Sequence, residues 1–115
     1  MKIRLDHIGI AVNSLDEGEK FWRLLGLIPE EEDEEVEDQG VKTRFIPIAS
    51  EPQKAAMIEL LEPTGDDTPI GRFIEKRGVG IQQICFQVDD INELINKLLD
   101  SVSYTHLRAH ETRPY

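Results

Sequence analysis

Two stretches of this chain follow one plan, and that repetition restricts the fold more than any other feature. His7-Ile8-Gly9-Ile10-Ala11-Val12-Asn13-Ser14-Leu15-Asp16-Glu17 and Gln83-Ile84-Cys85-Phe86-Gln87-Val88-Asp89-Asp90-Ile91-Asn92-Glu93 each begin with apolar residues at alternate positions, the period of a strand. Each then offers a helix cap, Ser14 or Asp90, with a glutamate three residues later, the spacing of a capping box. Strand, cap and helix therefore occur twice, and His7 and Gln83 hold equivalent places.

In the first copy, Ile8, Ile10 and Val12 share one face of the strand, and His7, Gly9 and Ala11 share the other. The bulky face is expected under a helix, and the small residues beside His7 leave room for something that is not protein. Leu15, Phe21, Trp22, Leu24 and Leu25 form the expected apolar stripe of the helix, which Gly26 stops. After Pro29 come an acidic edge strand, a tight turn at Gln39-Gly40, and a strand over Val41 to Ile48 in which Val41, Thr43 and Phe45 alternate with Lys42, Arg44 and Ile46. Glu51-Pro52-Gln53-Lys54 interrupts the pattern before a third strand from Met57 to Leu61. Thr68-Pro69 opens a linking helix with Ile70, Phe73 and Ile74 on one face, ended by Gly78 and Gly80.

Composition bounds what such a chain does. One domain fits 115 residues, with 39% hydrophobic residues supplying its core. The net charge of −10 argues against nucleic acid, and Glu30 to Asp38, with Val36 its single apolar residue, reads as a solvated edge or loop. No run approaches the roughly 18 apolar residues of a membrane span. A lone cysteine, Cys85, allows no internal disulfide, so the expectation is a cytoplasmic protein. The second helix is expected from Ile91 to about Leu99. Residues 101–115 change character abruptly and read as a non-native tail, whose histidines are not ligands.

Three residues stand out chemically. His7 lies on the roomy face of its strand, where a hydrogen-bonded core histidine is the plain alternative. Glu59 sits in Met57-Ile58-Glu59-Leu60-Leu61, where burial demands a partner or a metal and an edge strand would expose it to water. Gln83 faces the same way as Ile81, Cys85 and Gln87. Together they offer one nitrogen and two oxygens, a donor set suited to a divalent ion with open positions.

Leu5-Asp6-His7-Ile8-Gly9-Ile10-Ala11-Val12, Ile58-Glu59-Leu60-Leu61-Glu62-Pro63, Thr68-Pro69-Ile70, Phe73-Ile74-Glu75-Lys76-Arg77-Gly78 and Val88-Asp89-Asp90-Ile91 closely resemble the methylmalonyl-CoA epimerases of the vicinal oxygen chelate superfamily, which also includes glyoxalase I and bleomycin-resistance proteins. The resemblance covers about residues 3 to 99. It implies an α+β, glyoxalase-like fold of paired βαβββ modules, the second incomplete: one domain over 1–100, with 3–62 the first module, 63–80 the linking helix and 81–100 the start of the second. It implies metal ligation by His7 and Glu59, with Gln83 where the family has a histidine, and a divalent ion, cobalt first and manganese, nickel or zinc next. A further glutamate ligand would fall beyond residue 100. Thr43 stands where some members have a catalytic glutamate, and neither Glu37 nor Asp38 nearby is assignable as the base. The implied activity is R/S interconversion of methylmalonyl-CoA by proton transfer at the carbon α to the thioester, in a homodimer of the full-length protein, with no membrane or nucleic-acid partner. A glyoxalase I-like lyase and a non-enzymatic binding protein are the alternatives. Arg72, Lys76 and Arg77 are either CoA-phosphate contacts or the solvated side of the linking helix.

Overall fold

The computed structural model describes residues 1–49 and 56–112, with side chains as far as Val102. The expected break at Glu51-Pro52-Gln53-Lys54 lies outside the described residues. The elements are β1 (Ile3–Ala11), α1 (Leu15–Leu24), β2 (Glu34–Val36), a 3-10 turn (Glu37–Gln39), β3 (Val41–Pro47), β4 (Met57–Pro63), α2 (Pro69–Arg77), β5 (Gly80–Val88) and α3 (Ile91–Thr112). The five strands form one sheet in the order β2-β3-β4-β1-β5. β1 runs parallel to β4, and β3 is antiparallel to both β2 and β4. This mixed α+β sheet with three helices is the glyoxalase-like arrangement that the sequence implies.

The chain divides into two compact units, residues 5–86 and residues 1–4 with 87–115. In the larger unit the helices cover opposite faces of the sheet. Val12, Leu15, Ile46, Ile58 and Leu60 form one buried cluster, joined by Ile8, Ile10 and Trp22, so the bulky face of β1 does lie under α1. Ala11, Val41, Leu61 and Ile70 form the other, joined by Val36, Phe73 and Ile74, so α2 seals the far end of the small-residue face. Ile46 and Leu60 are completely enclosed, and each contributes about 1.5–3 kcal/mol by leaving water. These apolar layers outweigh any single polar contact.

Helix starts follow the expected chemistry. Ser14 Oγ accepts the Glu17 N–H, and Glu62 of β4 accepts the Leu15 N–H at 2.8 Å, so two free donors at the start of α1 are satisfied. Thr68 caps α2 in the same way, through the Gly71 N–H. Gly40 ends the 3-10 turn at a φ of 62°, where a side chain would be strained and where its own Cβ would meet Thr68 at 2.5 Å. Gly78 caps α2, whereas Gly80 opens β5 rather than ending the helix.

The apolar stripe expected on α1 is only half right. Leu15 and Trp22 pack inward, but Phe21, Leu24 and Leu25 are exposed, and the buried residue between Leu15 and Trp22 is Glu19. Arg44 is the cause. Its guanidinium rises from the α1 side of β3, binds Glu19 at 3.0 Å and Asp16 at 2.9 Å, and clasps both oxygens of Asp33 at 2.8 Å. Arg23 adds a second bond to Glu19 at 2.7 Å. A buried carboxylate held by two guanidinium groups thus takes a place where hydropathy alone calls for an apolar side chain. The same clasp ties down part of the acidic stretch, whose residues 34–36 form the short edge strand β2.

In the smaller unit, Asp90 Oδ1 accepts the Glu93 N–H at 3.0 Å, as the cap spacing requires, and Asp89 bonds the Lys2 backbone N–H. α3 runs past the expected end near Leu99 to Thr112. Residues 100–112 contain no glycine or proline to stop it, the first proline after Leu99 being Pro114. No helix among the described residues is long and apolar enough to cross a membrane.

The clasp yields a stability prediction. Hydrogen bonding to Arg44 holds the Asp33 carboxyl below its ordinary range. Its contribution is therefore complete above about pH 3.9 and is lost as pH falls through the lowered value. Arg44→Met, which leaves Glu19 buried with only Arg23, is expected to cost about 1.5–3 kcal/mol at neutral pH in urea unfolding. The difference from wild type should shrink below pH 4, and an equal difference at pH 7 and pH 3 would contradict this assignment.

Candidate metal centre

The register of three strands brings the marked residues to one face. Gly9 pairs with Glu59 and His7 with Met57 across β1 and β4, and Glu59 pairs with Phe45 across β4 and β3. Directly paired residues point the same way, so His7, Gly9, Glu59, Phe45 and Thr43 share the face opposite α1. β4 is the central strand of five, which removes the edge-strand alternative for Glu59.

Glu59 is the electrostatic centre of this group, with a side chain only 13% exposed. Its Oε1 lies 3.4 Å from His7 Nε2 and accepts a hydrogen bond from Gln83 Nε2 at 3.1 Å. Burial pushes its proton affinity up; the positive potential of His7 and the Gln83 bond oppose that rise, and the charge of Glu34 adds to it. Phe45 meets the His7 ring edge to face, with centroids 6.0 Å apart. The structure thus brings His7, Glu59 and Gln83 together.

Gly9 corrects one expectation. The space beside it is not left for a ligand, because Gln83 occupies it: a Cβ at Gly9 would stand 2.5 Å from Gln83 Cγ. The glycine is what lets Gln83 cross the β1 surface and reach Glu59. Ala11, the other small residue of that face, is fully enclosed with Ile70 of α2.

Two groups escaped the sequence reading. Asp6 Oδ2 lies 2.8 Å from His7 Nδ1, although strand alternation sends neighbouring side chains to opposite faces. Cys85, two residues beyond Gln83 on β5, places its sulfur with donor atoms of Asp6 and His7 in a group whose members all lie within 4.8 Å of one another. The shared face of Gln83 and Cys85 was the available signal for the thiol; nothing in the strand period signals Asp6. Glu37 and Asp38 lie in the exposed 3-10 turn, and the carboxylate directly opposite Thr43 is Glu34 of β2. Arg72 is paired with Asp67 on the exposed side of α2, and Lys76 and Arg77 are also exposed.

The family model of the Glyoxalase/Bleomycin resistance protein/Dioxygenase superfamily matches residues 6–110. The chain belongs to this superfamily. Within the superfamily, it is 38% identical over 98 residues to an uncharacterised protein of Bacillus subtilis, covering 84% of this chain and 66% of that protein. It is 36% identical over 98 residues to the mitochondrial methylmalonyl-CoA epimerase of Dictyostelium discoideum, covering 84% and 55%. The chain thus spans about half to two thirds of the length of these curated relatives. Among solved structures, a variant methylmalonyl-CoA epimerase of Streptomyces coelicolor in complex with 2-nitronate-propionyl-CoA aligns with a TM-score of 0.70 at 33% identity, over 85% of this chain and 71% of that one. This chain is therefore an epimerase-like member of the superfamily.

If Gly9 exists to admit Gln83, the two positions must be energetically coupled. Gly9→Ala is expected to destabilise the fold by about 1–3 kcal/mol through overpacking. Much of that loss should vanish in the Gly9→Ala, Gln83→Ala double variant, giving a coupling of at least about 0.5 kcal/mol in a denaturation cycle. Additive losses would mean that Gln83 does not need the glycine.

Proposed function

We propose that the full-length protein interconverts the R and S forms of methylmalonyl-CoA, with His7 and Glu59 as metal ligands and the Gln83 amide oxygen as a third. The observation that carries the reading is the part-buried Glu59 carboxylate on the central strand, facing the His7 ring nitrogen across 3.4 Å. Such a carboxylate is costly without a cation, and imidazole with carboxylate and amide oxygens suits a divalent ion of intermediate hardness. Gln83 can serve both neighbours, since its Nε2 donates to Glu59 while its Oε1 remains an acceptor. The likeness to epimerases, one of them solved with a CoA thioester analogue, supports the same substrate class.

A divalent ion bound here, cobalt being the first to test, would act as a Lewis acid toward the negative charge that develops on the substrate's thioester and carboxylate oxygens. The remaining task of the chain is to move one proton. Epimerisation requires one group to take the α-proton and another to return a proton on the opposite side. We assign the first role to Glu34, which pairs with Thr43 on the face that holds Glu59. It supplies the carboxylate that Thr43 lacks, from the neighbouring strand at a Cβ separation of about 5 Å. The apolar lining by Phe45 keeps the His7 ring in place during that transfer.

Racemisation of one enantiomer of methylmalonyl-CoA by the full-length protein with Co2+ tests the reading. Activity that disappears on chelation and returns on reloading is expected, and Glu34→Gln should reduce kcat by about 10²–10⁴-fold, the range of a lost acid–base group. A protein that binds Co2+ but neither racemises the thioester nor exchanges its α-proton with solvent would exclude the epimerase. Turnover of hemithioacetals instead would point to the lyase.

A further inference from the structure

We propose that Asp6 is a positioning residue: it keeps a proton on Nδ1 of His7 and so presents the Nε2 lone pair to the cation site beside Glu59. The proposal rests on the reading of His7 and Glu59 as metal ligands.

The geometry separates the two ring nitrogens. Nδ1 faces Asp6 Oδ2 at 2.8 Å, and Nε2 faces Glu59 Oε1 at 3.4 Å. An ionised carboxylate only accepts, so the nitrogen at hydrogen-bond distance from Asp6 must carry a proton. The opposite tautomer would set the Nδ1 lone pair against a carboxylate lone pair at 2.8 Å. The tautomer of an imidazole is set by the bond its non-ligating nitrogen makes, and here that bond belongs to Asp6.

The Nε2 side is arranged differently. The separation of 3.4 Å is long for a charge-assisted hydrogen bond, but it suits two donors that each reach about 2.1 Å to one ion. Glu59 does not depend on a proton from His7, because Gln83 already donates to the same oxygen. Phe45, edge to face with the ring at an interplanar angle of 88°, packs against it from β3. The imidazole is therefore held by one partner that takes its Nδ1–H and one that packs against its ring, with Nε2 directed at the part-buried carboxylate.

Nitrogen-15 NMR of the full chain, labelled at histidine and measured without metal at a pH where His7 is neutral, reads the tautomer directly. Signals of His7 are separated from those of His106 and His110 by their loss in His7→Gln. The expected wild-type spectrum is that of the Nδ1–H tautomer. Asp6→Ala, and the nearly isosteric Asp6→Asn should it unfold, are expected to shift the ring toward Nε2–H and to weaken Co2+ binding about 10–100-fold. Glu59→Gln should weaken Co2+ binding while leaving the tautomer unchanged. An Nε2–H tautomer in the wild type, or a tautomer and Co2+ affinity unmoved by either Asp6 substitution, would overturn the proposal. A wild-type chain with the Nδ1–H tautomer that binds no Co2+ would overturn the metal reading of the site rather than the Asp6–His7 bond, so the two failures are distinguishable.

Discussion

The arrangement turns on one carboxylate placed where a carboxylate is expensive. Glu59 occupies the central strand, mostly enclosed, with Ile58 and Leu60 buried on the opposite face of the same strand. Burial raises its proton affinity, and the groups that resist this are His7 and Gln83. Their positions depend in turn on Gly9, which clears a path for Gln83, and on Asp6 and Phe45, which hold the His7 ring. Removing any one of these supports would leave the part-buried charge less well matched.

The sheet makes this possible by treating its two faces differently. α1 closes one face with a continuous apolar layer, and α2 closes only the Ala11–Leu61 end of the other. The His7–Glu59 end of that face carries polar groups instead. The Arg44 clasp lies on the opposite side and has a separate task, joining α1, β3 and the acidic segment through Glu19, Asp16 and Asp33. The Arg44 clasp and the candidate metal centre thus lie on opposite faces of β3 and β4.

Much of this was legible in the sequence where local rules suffice. The alternation in Leu5–Val12 and Met57–Leu61 identifies the faces of His7 and Glu59, and Ser14, Thr68 and Asp90 mark helix starts that the structure uses. What local rules cannot supply is the identity of a neighbour distant in the chain. The burial of Glu19, which is not part of the expected stripe, depends on Arg44, 25 positions away and not visible from its helix. Gly9 looked like empty space because Gln83, which fills it, lies 74 positions away. Whether Glu59 lay at an edge or in the middle depended on strand order, which neither its neighbours nor its period encode. Asp6 escaped notice for a different reason, since its contact with His7 departs from simple strand alternation.

The central claim is that His7 and Glu59 are two ligands of one divalent ion. Anomalous diffraction at the cobalt edge, from crystals of the full-length protein grown with Co2+, tests it most directly. The expected result is a single strong peak on the Gly9 face, within about 2.0–2.2 Å of His7 Nε2 and of a Glu59 carboxylate oxygen. A peak bound through His7 Nδ1, a peak elsewhere, or no peak beside a Glu59 still bonded to Gln83 would contradict it.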